Sequence, residues 1–335
     1  MNRAHCAFAT AAIATALASA ASGCGGGGDT GGPAVFASHP APPASEFPSA
    51  QGRSLADLMR EVKAGNDVVA APTSSVFGVG ANRFGFGVFT VSRQEIPDAK
   101  VALYAAPQAG GALEGPFPAR TESLVVAPQY RSLTTSEDPD AAHVVYVSDV
   151  RFTRPGAWNL VALIDRGSGM EATAMPTVQV GSDAGIPQVG QVPPRIHTLT
   201  VADVHGDVAR IDTRKPPDDM HSADFANVLG RKPIVLLFAT PALCQSRVCG
   251  PVVDVAEEVK HEPESKGVVF IHQEVYRRND ASQGLRPQLR AFHLRTEPWL
   301  FVINRQGRIT TRIEGAFGTG ELEQAVRAVA PGGGS

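Results

Sequence analysis

The chain has 335 residues, more than one compact core usually serves, so two domains are expected. Its 43% apolar and 19% charged residues are those of an ordinary globular protein. A formal net charge of −3, with only four Tyr and two Trp, excludes the basic, base-stacking surface that nucleic-acid binding requires.

The N-terminus carries a short positive end at Arg3 and an Ala-rich apolar run from Ala7 to Ala18. That run is too short for a permanent membrane span and suits an export signal over residues 1–23. Ala21-Ser22-Gly23-Cys24 and the glycine tract behind it resemble a bacterial lipoprotein signal, in which Cys24 is the lipidated first residue. The resemblance implies an exported chain held on the membrane by a lipid anchor, facing the extracytoplasmic side. Cys6 then leaves with the signal and Cys24 is acylated, so of four cysteines only Cys244 and Cys249 remain as thiols. Export places them where a disulfide persists.

Residues 24–53 mix Gly, Pro, Ala and Ser and read as a disordered tether. In "SLADLMREVKAG", Ser54 and Asp57 have capping-box spacing and Leu55, Leu58, Met59 and Val62 share one face, which predicts a helix. Strand signals then recur: "NRFGFGVFTV", "AKVALYAA", "HVVYVSDVRF", "WNLVALI" and "TAMPTVQV", separated by turn residues. This pattern predicts an antiparallel sandwich over 54–181 together with the helix, and "FTRPGAWNLVALI" resembles the turn-then-Trp strand of immunoglobulin-like modules. Its aromatics read as core. A Pro/Gly-rich linker, 182–196, separates this unit from the rest, so the sandwich is expected to fold by itself.

From 197 to 331 strand and helix signals alternate. "PIVLLFAT" is a continuous apolar run, as a strand buried on both faces requires, and "PVVDVAEEV" has helical spacing. "GVVFIHQEVY" reads as a strand and "LRPQLRAFHL" as a short helix. "PWLFVINRQGRITTRIEG" reads as a hairpin turning at Asn304 to Gly307, and "GELEQAVRAVA" as a closing amphipathic helix. The order "IVLLFATPALC", helix, "TEPWLFVIN", terminal helix resembles the thioredoxin superfamily, whose exported, membrane-anchored members are the TlpA-like thiol–disulfide oxidoreductases. The resemblance implies an α/β thioredoxin-like domain after the immunoglobulin-like sandwich. It also implies a cis Glu297–Pro298 peptide, with Pro298 as the backbone edge that holds substrate. Exported protein thiols and a membrane redox partner would be its partners, and no cofactor or metal would be needed.

The chemistry has a physical basis. Helix N-termini carry unpaired N–H groups and partial positive charge, which favour the attacking thiolate. Cys244 is expected to attack and Cys249 to resolve, with Arg247 adding positive charge between them. The strand before the pair lacks a buried acid, which leaves Asp254 and Glu274 as candidates for proton transfer, and Glu297 supports Pro298. Five helical positions turn the chain by about 500°, so two such cysteines face about 140° apart and no disulfide closes across intact helix. Either 244–249 is a loop, which Pro251 favours, or the first turn unwinds on oxidation.

Two other arrangements share the four-residue gap or the Cys–His content. Peroxiredoxins need Thr three residues before the cysteine and Pro seven before, whereas here Thr240 lies four before and Leu237 stands seven before. Sco-type copper chaperones pair two cysteines with a distant His, but His272 and His293 fall too early in the chain and read as core or surface residues. A non-catalytic surface module with a structural disulfide is the competing class. So small a loop contributes only about 2 kcal/mol in the chain-entropy model.

Overall fold

The computed structural model describes residues 36–181 and 185–331. The expected signal, Cys6 and the lipidation candidate Cys24 lie outside the described residues. Among the described residues no helix is long and apolar enough to cross a membrane.

The first helix, α1 (Leu55–Glu61), starts at a full capping box: Asp57 N–H donates to Ser54 Oγ (3.2 Å) and Ser54 N–H to Asp57 Oδ2 (2.8 Å). Strands β1 (Lys63–Ala64), β2 (Val68–Pro72), β3 (Gly80–Thr90), β4 (Lys100–Pro107) and β5 (Glu114–Ser123) follow. A short α2 (Leu133–Ser136) precedes β6 (Val144–Phe152), β7 (Gly156–Asp165) and β8 (Met170–Val180). Alternation sorts the faces. Val101, Leu103 and Ala105 of β4 join Trp158, Leu160 and Ala162 of β7 inside. The intervening Ala102, Tyr104, Val161 and Leu163 turn outward and are covered by α1, Phe47 and Ala50. Part of the expected tether is therefore packed: Phe47 and Ala50 are buried, and His39 pairs with Thr121 as an isolated bridge.

These strands form one sheet, in the order β1-β8-β7-β4-β5-β6-β3-β2. Strand β5 makes the bend. Its first half pairs with β4 (Phe117 opposite Leu103), and from Ala119 onward it pairs with β6. Pro116 and Pro118 have no N–H to give to a ladder, which suits a strand that changes partner midway. The immunoglobulin-like sandwich expected from the sequence is thus corrected to a single eight-stranded sheet curled around its own core.

Beyond residue 185 come α3 (Phe225–Val228), β9 (Ile234–Phe238), α4 (Cys249–Lys260), β10 (Val269–Gln273), α5 (Pro287–Ala291), β11 (Trp299–Ile303), β12 (Ile309–Glu314) and α6 (Thr319–Arg327). The four strands form a second sheet ordered β10-β9-β11-β12, with β10 parallel and β11 antiparallel to β9. Helices α4 and α6 cover one face, where Val235 and Leu237 meet Val252, Val255 and Leu322. The other face is closed largely by irregular chain: Ile186, Ile196, Phe225, Leu289 and Phe292 pack on Ile234, Leu236 and Phe238.

That second face overturns the expected thioredoxin-like α/β fold. A layered α/β domain needs helices over its sheet, but on this face the segment "QVPPRI" breaks helices, and only the four-residue α3 and five-residue α5 lie there. The described chain is mainly β, an eight-stranded curled sheet plus a four-stranded one, with few helices. The thioredoxin-like and TlpA-like assignment made from motif order is corrected accordingly.

The two sheets share a core. Leu124, Val126, Val145 and Val147 of the curled sheet and its β5–β6 connection pack in the same cluster as α4, α6 and β9. Glu314 of β12 accepts the Ser75 N–H (2.9 Å), Val76 N–H (2.8 Å) and Thr296 hydroxyl (2.7 Å). Arg83 forks onto Glu321 through Nε (2.6 Å) and Nη2 (2.7 Å), which couples β3 to α6.

Candidate functional site

Cys244 and Cys249 are joined in a disulfide, with Cα atoms 5.9 Å apart. The chain between them is a loop, because helix α4 begins only at Cys249. Pro251 sits in the first turn, where its missing N–H has no helical partner to lose. Arg247 takes φ 61° and turns the chain into the helix, and its carbonyl accepts the Ala142 N–H. Cys249 is fully buried and Cys244 is half-buried on an exposed loop. The helix start, with its partial positive charge, is therefore at Cys249 rather than at Cys244.

Each expected supporting residue has a definite place. Arg247 does not stand free beside the sulfurs: Nη1 donates to both Asp138 oxygens (2.9 and 2.8 Å), and this hydrogen bond raises its pKa. Asp254 is buried against Arg214 (2.9 Å) and also accepts the Ser132 N–H, so it braces α4 and has no free proton-transfer role. Burial pushes its pKa up against the Arg214 charge. Glu297 is the acid at the sulfurs, 3.7 Å from Cys249 Sγ. Burial pushes its pKa up to about 7, the nearby Glu274 carboxylate adds to the rise, and hydrogen bonds from Thr240 and Tyr276 offset part of it. Glu274 itself lies deeper, accepting the Thr213 N–H (2.7 Å), and burial raises its pKa. Its connection to the site runs through Glu297, whose pKa it raises, and through Thr240, which hydrogen-bonds both carboxyls. The Glu297–Pro298 peptide is cis, the isomer expected.

The neighbourhood follows from sheet register. Trp299 pairs with Phe238, so the residues just before β11 lie beside the segment that leaves β9 for the cysteine loop. Next to that loop opens a cleft of ≈ 510 Å³, with Val69, Ala71, Phe89 and Val91 on one side and Ser246 and Arg247 on the other. Val69 and Val91 are 42% and 63% exposed, so the cleft presents apolar surface to solvent next to the cysteine loop. His293 is exposed, and His272 is fully buried away from solvent.

Sequence reading missed a second cluster. Asp212, Asp218, His221 and His272 are all buried and bring one ligand atom each within 4.8 Å of the others. The available signal was the spacing Asp-x5-Asp-x2-His in a stretch without helical or strand periodicity.

No protein-family model matches the chain, and no curated protein matches it. Among solved structures, it is similar to the crystal structure of a DUF4784 family protein from Bacteroides caccae, at 10% identity and a TM-score of 0.20. That match covers 37% of this chain and only 27% of the other protein. A likeness of this size establishes neither a family nor a fold.

Proposed function

We propose that the protein is a thiol–disulfide oxidoreductase working through Cys244 and Cys249. The observation that supports this reading best is the Glu297 carboxyl, 3.7 Å from the buried Cys249 sulfur and with a pKa of about 7. A plain staple has no use for a proton donor and acceptor poised near neutrality beside its inner sulfur.

The exchange runs as follows. A substrate thiolate attacks Cys244 Sγ, the accessible sulfur, and the S–S bond breaks with its electron pair leaving on Cys249. The helix start stabilises that thiolate and protonated Glu297 supplies its proton. A second substrate thiol then attacks the substrate sulfur of the mixed disulfide and frees Cys244, so two electrons pass from substrate to the pair. In the opposite direction Cys244 attacks a substrate disulfide. The Glu297 carboxylate takes the Cys249 proton, and Cys249 resolves the adduct. The apolar cleft beside the loop gives a substrate polypeptide a place to lie.

Trapping tests this. Cys249→Ser is expected to accumulate a mixed disulfide with substrate thiols, because attack proceeds and resolution does not. Cys244→Ser is expected to trap little, since Cys249 is buried. Equal trapping by both variants, or by neither, would sink the assignment. Export and a lipid anchor at Cys24 are part of the proposal. Cys24→Ser is expected to move the protein from the membrane to the soluble fraction, and unchanged membrane association would rule the anchor out.

A further inference from the structure

The buried Asp212, Asp218, His221 and His272 group shares no residue with the disulfide and Glu297. Three of its members come from the loop preceding α3 and one from β10. His221 Nε2 lies 3.4 Å from Asp212 Oδ2 and 3.4 Å from Asp218 Oδ1, and His272 Nδ1 lies 3.9 Å from Asp212 Oδ1. A four-coordinate ion with bonds of about 2.1 Å separates its ligand atoms by about 3.4 Å. His221 is 1% exposed, and its Nε2 has no hydrogen-bond partner although it points between two carboxylates. An orphaned ring nitrogen so placed is unexpected in a finished core.

The surroundings already orient these groups as a metal site requires. His272 Nε2 is 3.0 Å from the Ala239 carbonyl, which fixes the N–H on that nitrogen and turns Nδ1 toward the carboxylates. Asp212 accepts the N–H groups of Arg214 (2.8 Å) and Asp218 (2.7 Å), and Asp218 accepts that of Met220 (2.9 Å). Both carboxylates are thus held by backbone and keep oxygens directed inward.

We propose that Asp212, Asp218, His221 and His272 hold a divalent transition-metal ion, Zn2+ by the character of this two-nitrogen, two-oxygen set, which ties the 212–221 loop to β10. Two carboxylates and a dication bring the buried group to neutrality. His272 Nδ1 lies 2.7 Å from Asp218 Oδ2, so the ring nitrogen already faces the carboxylates. With every ligand buried, the ion enters as the loop closes during folding.

The test is to unfold the full-length chain with its disulfide oxidised, strip it with a chelator, and refold it with Co2+. One Co2+ per chain is expected, with the visible absorption of a four-coordinate ion, no sulfur-to-cobalt charge-transfer band, and displacement by Zn2+. His221→Gln and Asp212→Asn are each expected to weaken uptake by about 100-fold or more. Among the described residues the more exposed trio Asp219, Glu257 and His261 is the other non-cysteine group able to hold an ion, and an Asp219→Asn, His261→Gln double variant is expected to bind normally. Refolded wild type that takes up no Co2+ saturably would overturn the proposal. So would uptake that survives in folded His221→Gln, or that disappears in the surface double variant.

Discussion

Glu297 is held between opposing demands: burial favours its neutral form, while hydrogen bonds from Thr240 and Tyr276 favour the anion. Its pKa of about 7 makes it a base above neutrality and an acid below. Resolution by Cys249 is therefore expected to speed up as pH rises through about 7. Glu297→Gln is expected to remove that inflection and to slow exchange on the order of 100-fold; an unchanged pH profile would remove Glu297 from the mechanism. Stability gives an independent reading. The folded-state pKa lies above the ordinary value of 4.5, so the folded chain holds this proton more tightly than the unfolded one. That contribution is complete below about pH 4.5 and is lost as pH rises through about 7. Melting curves of Glu297→Gln are expected to lie above wild type beyond pH 7 and to converge with it toward pH 4.5. The cysteine pair was legible because the expected signal and lipidation site account for Cys6 and Cys24. The contact of Glu297 with Cys249 was not, because it joins residues 48 apart in sequence and depends on β11 pairing with β9. The Asp/His cluster was hidden for a related reason: its loop has no periodicity and reads as solvated polar chain.

Helix α6 meets β5 at close backbone range, and Gly318 makes this possible. A Cβ there would stand 2.7 Å from the Ser123 carbonyl oxygen and 2.9 Å from Glu122 Cβ. Gly318→Ala is expected to destabilise the protein by about 1–3 kcal/mol in urea unfolding, as overpacking against backbone does. Gly320, two residues on in the same helix, has open space around its Cβ position. Gly320→Ala is expected to be neutral or to stabilise by up to about 1 kcal/mol. Equal effects at the two sites would show that the close approach does not carry the contact. Elements with one clear period were readable: β6, β9 and β11 fall within their predicted segments, β4 and β7 overlap and extend theirs, and Ser54 caps α1 as expected. Strand β5 was missed because "EGPFPARTES" carries two prolines and little apolar alternation, the same features that let it change partners.

The described chain consists of two sheets that share apolar packing, and nothing in a local pattern announces that joint. A Pro/Gly stretch at 182–196 looked like a linker, yet Ile186 and Ile196 are buried on the second sheet and Gly190 N–H donates to Ile309. Residues 36–181 alone would expose Leu124, Val126, Val145 and Val147 to water and leave Arg83 without Glu321. That fragment is expected to bind hydrophobic dye and to unfold in a broad transition at lower denaturant than the full chain. A sharp transition at the full-length midpoint would mean the curled sheet is independent. The curl itself, and the loop-covered second face that displaced the expected layered fold, are properties of strand order and of irregular chain. Composition and periodicity do not encode either.

The equilibrium reduction potential of Cys244–Cys249 in the full-length protein, set against defined dithiol buffers, separates an exchanging pair from a staple. A helix start and a neutral-range acid at the inner sulfur stabilise the reduced pair. A potential above about −300 mV is therefore expected, within reach of exchange with other protein thiols. A potential below about −300 mV, resistant to the glutathione pool and unchanged in Glu297→Gln, would identify the pair as a structural staple and contradict the assignment.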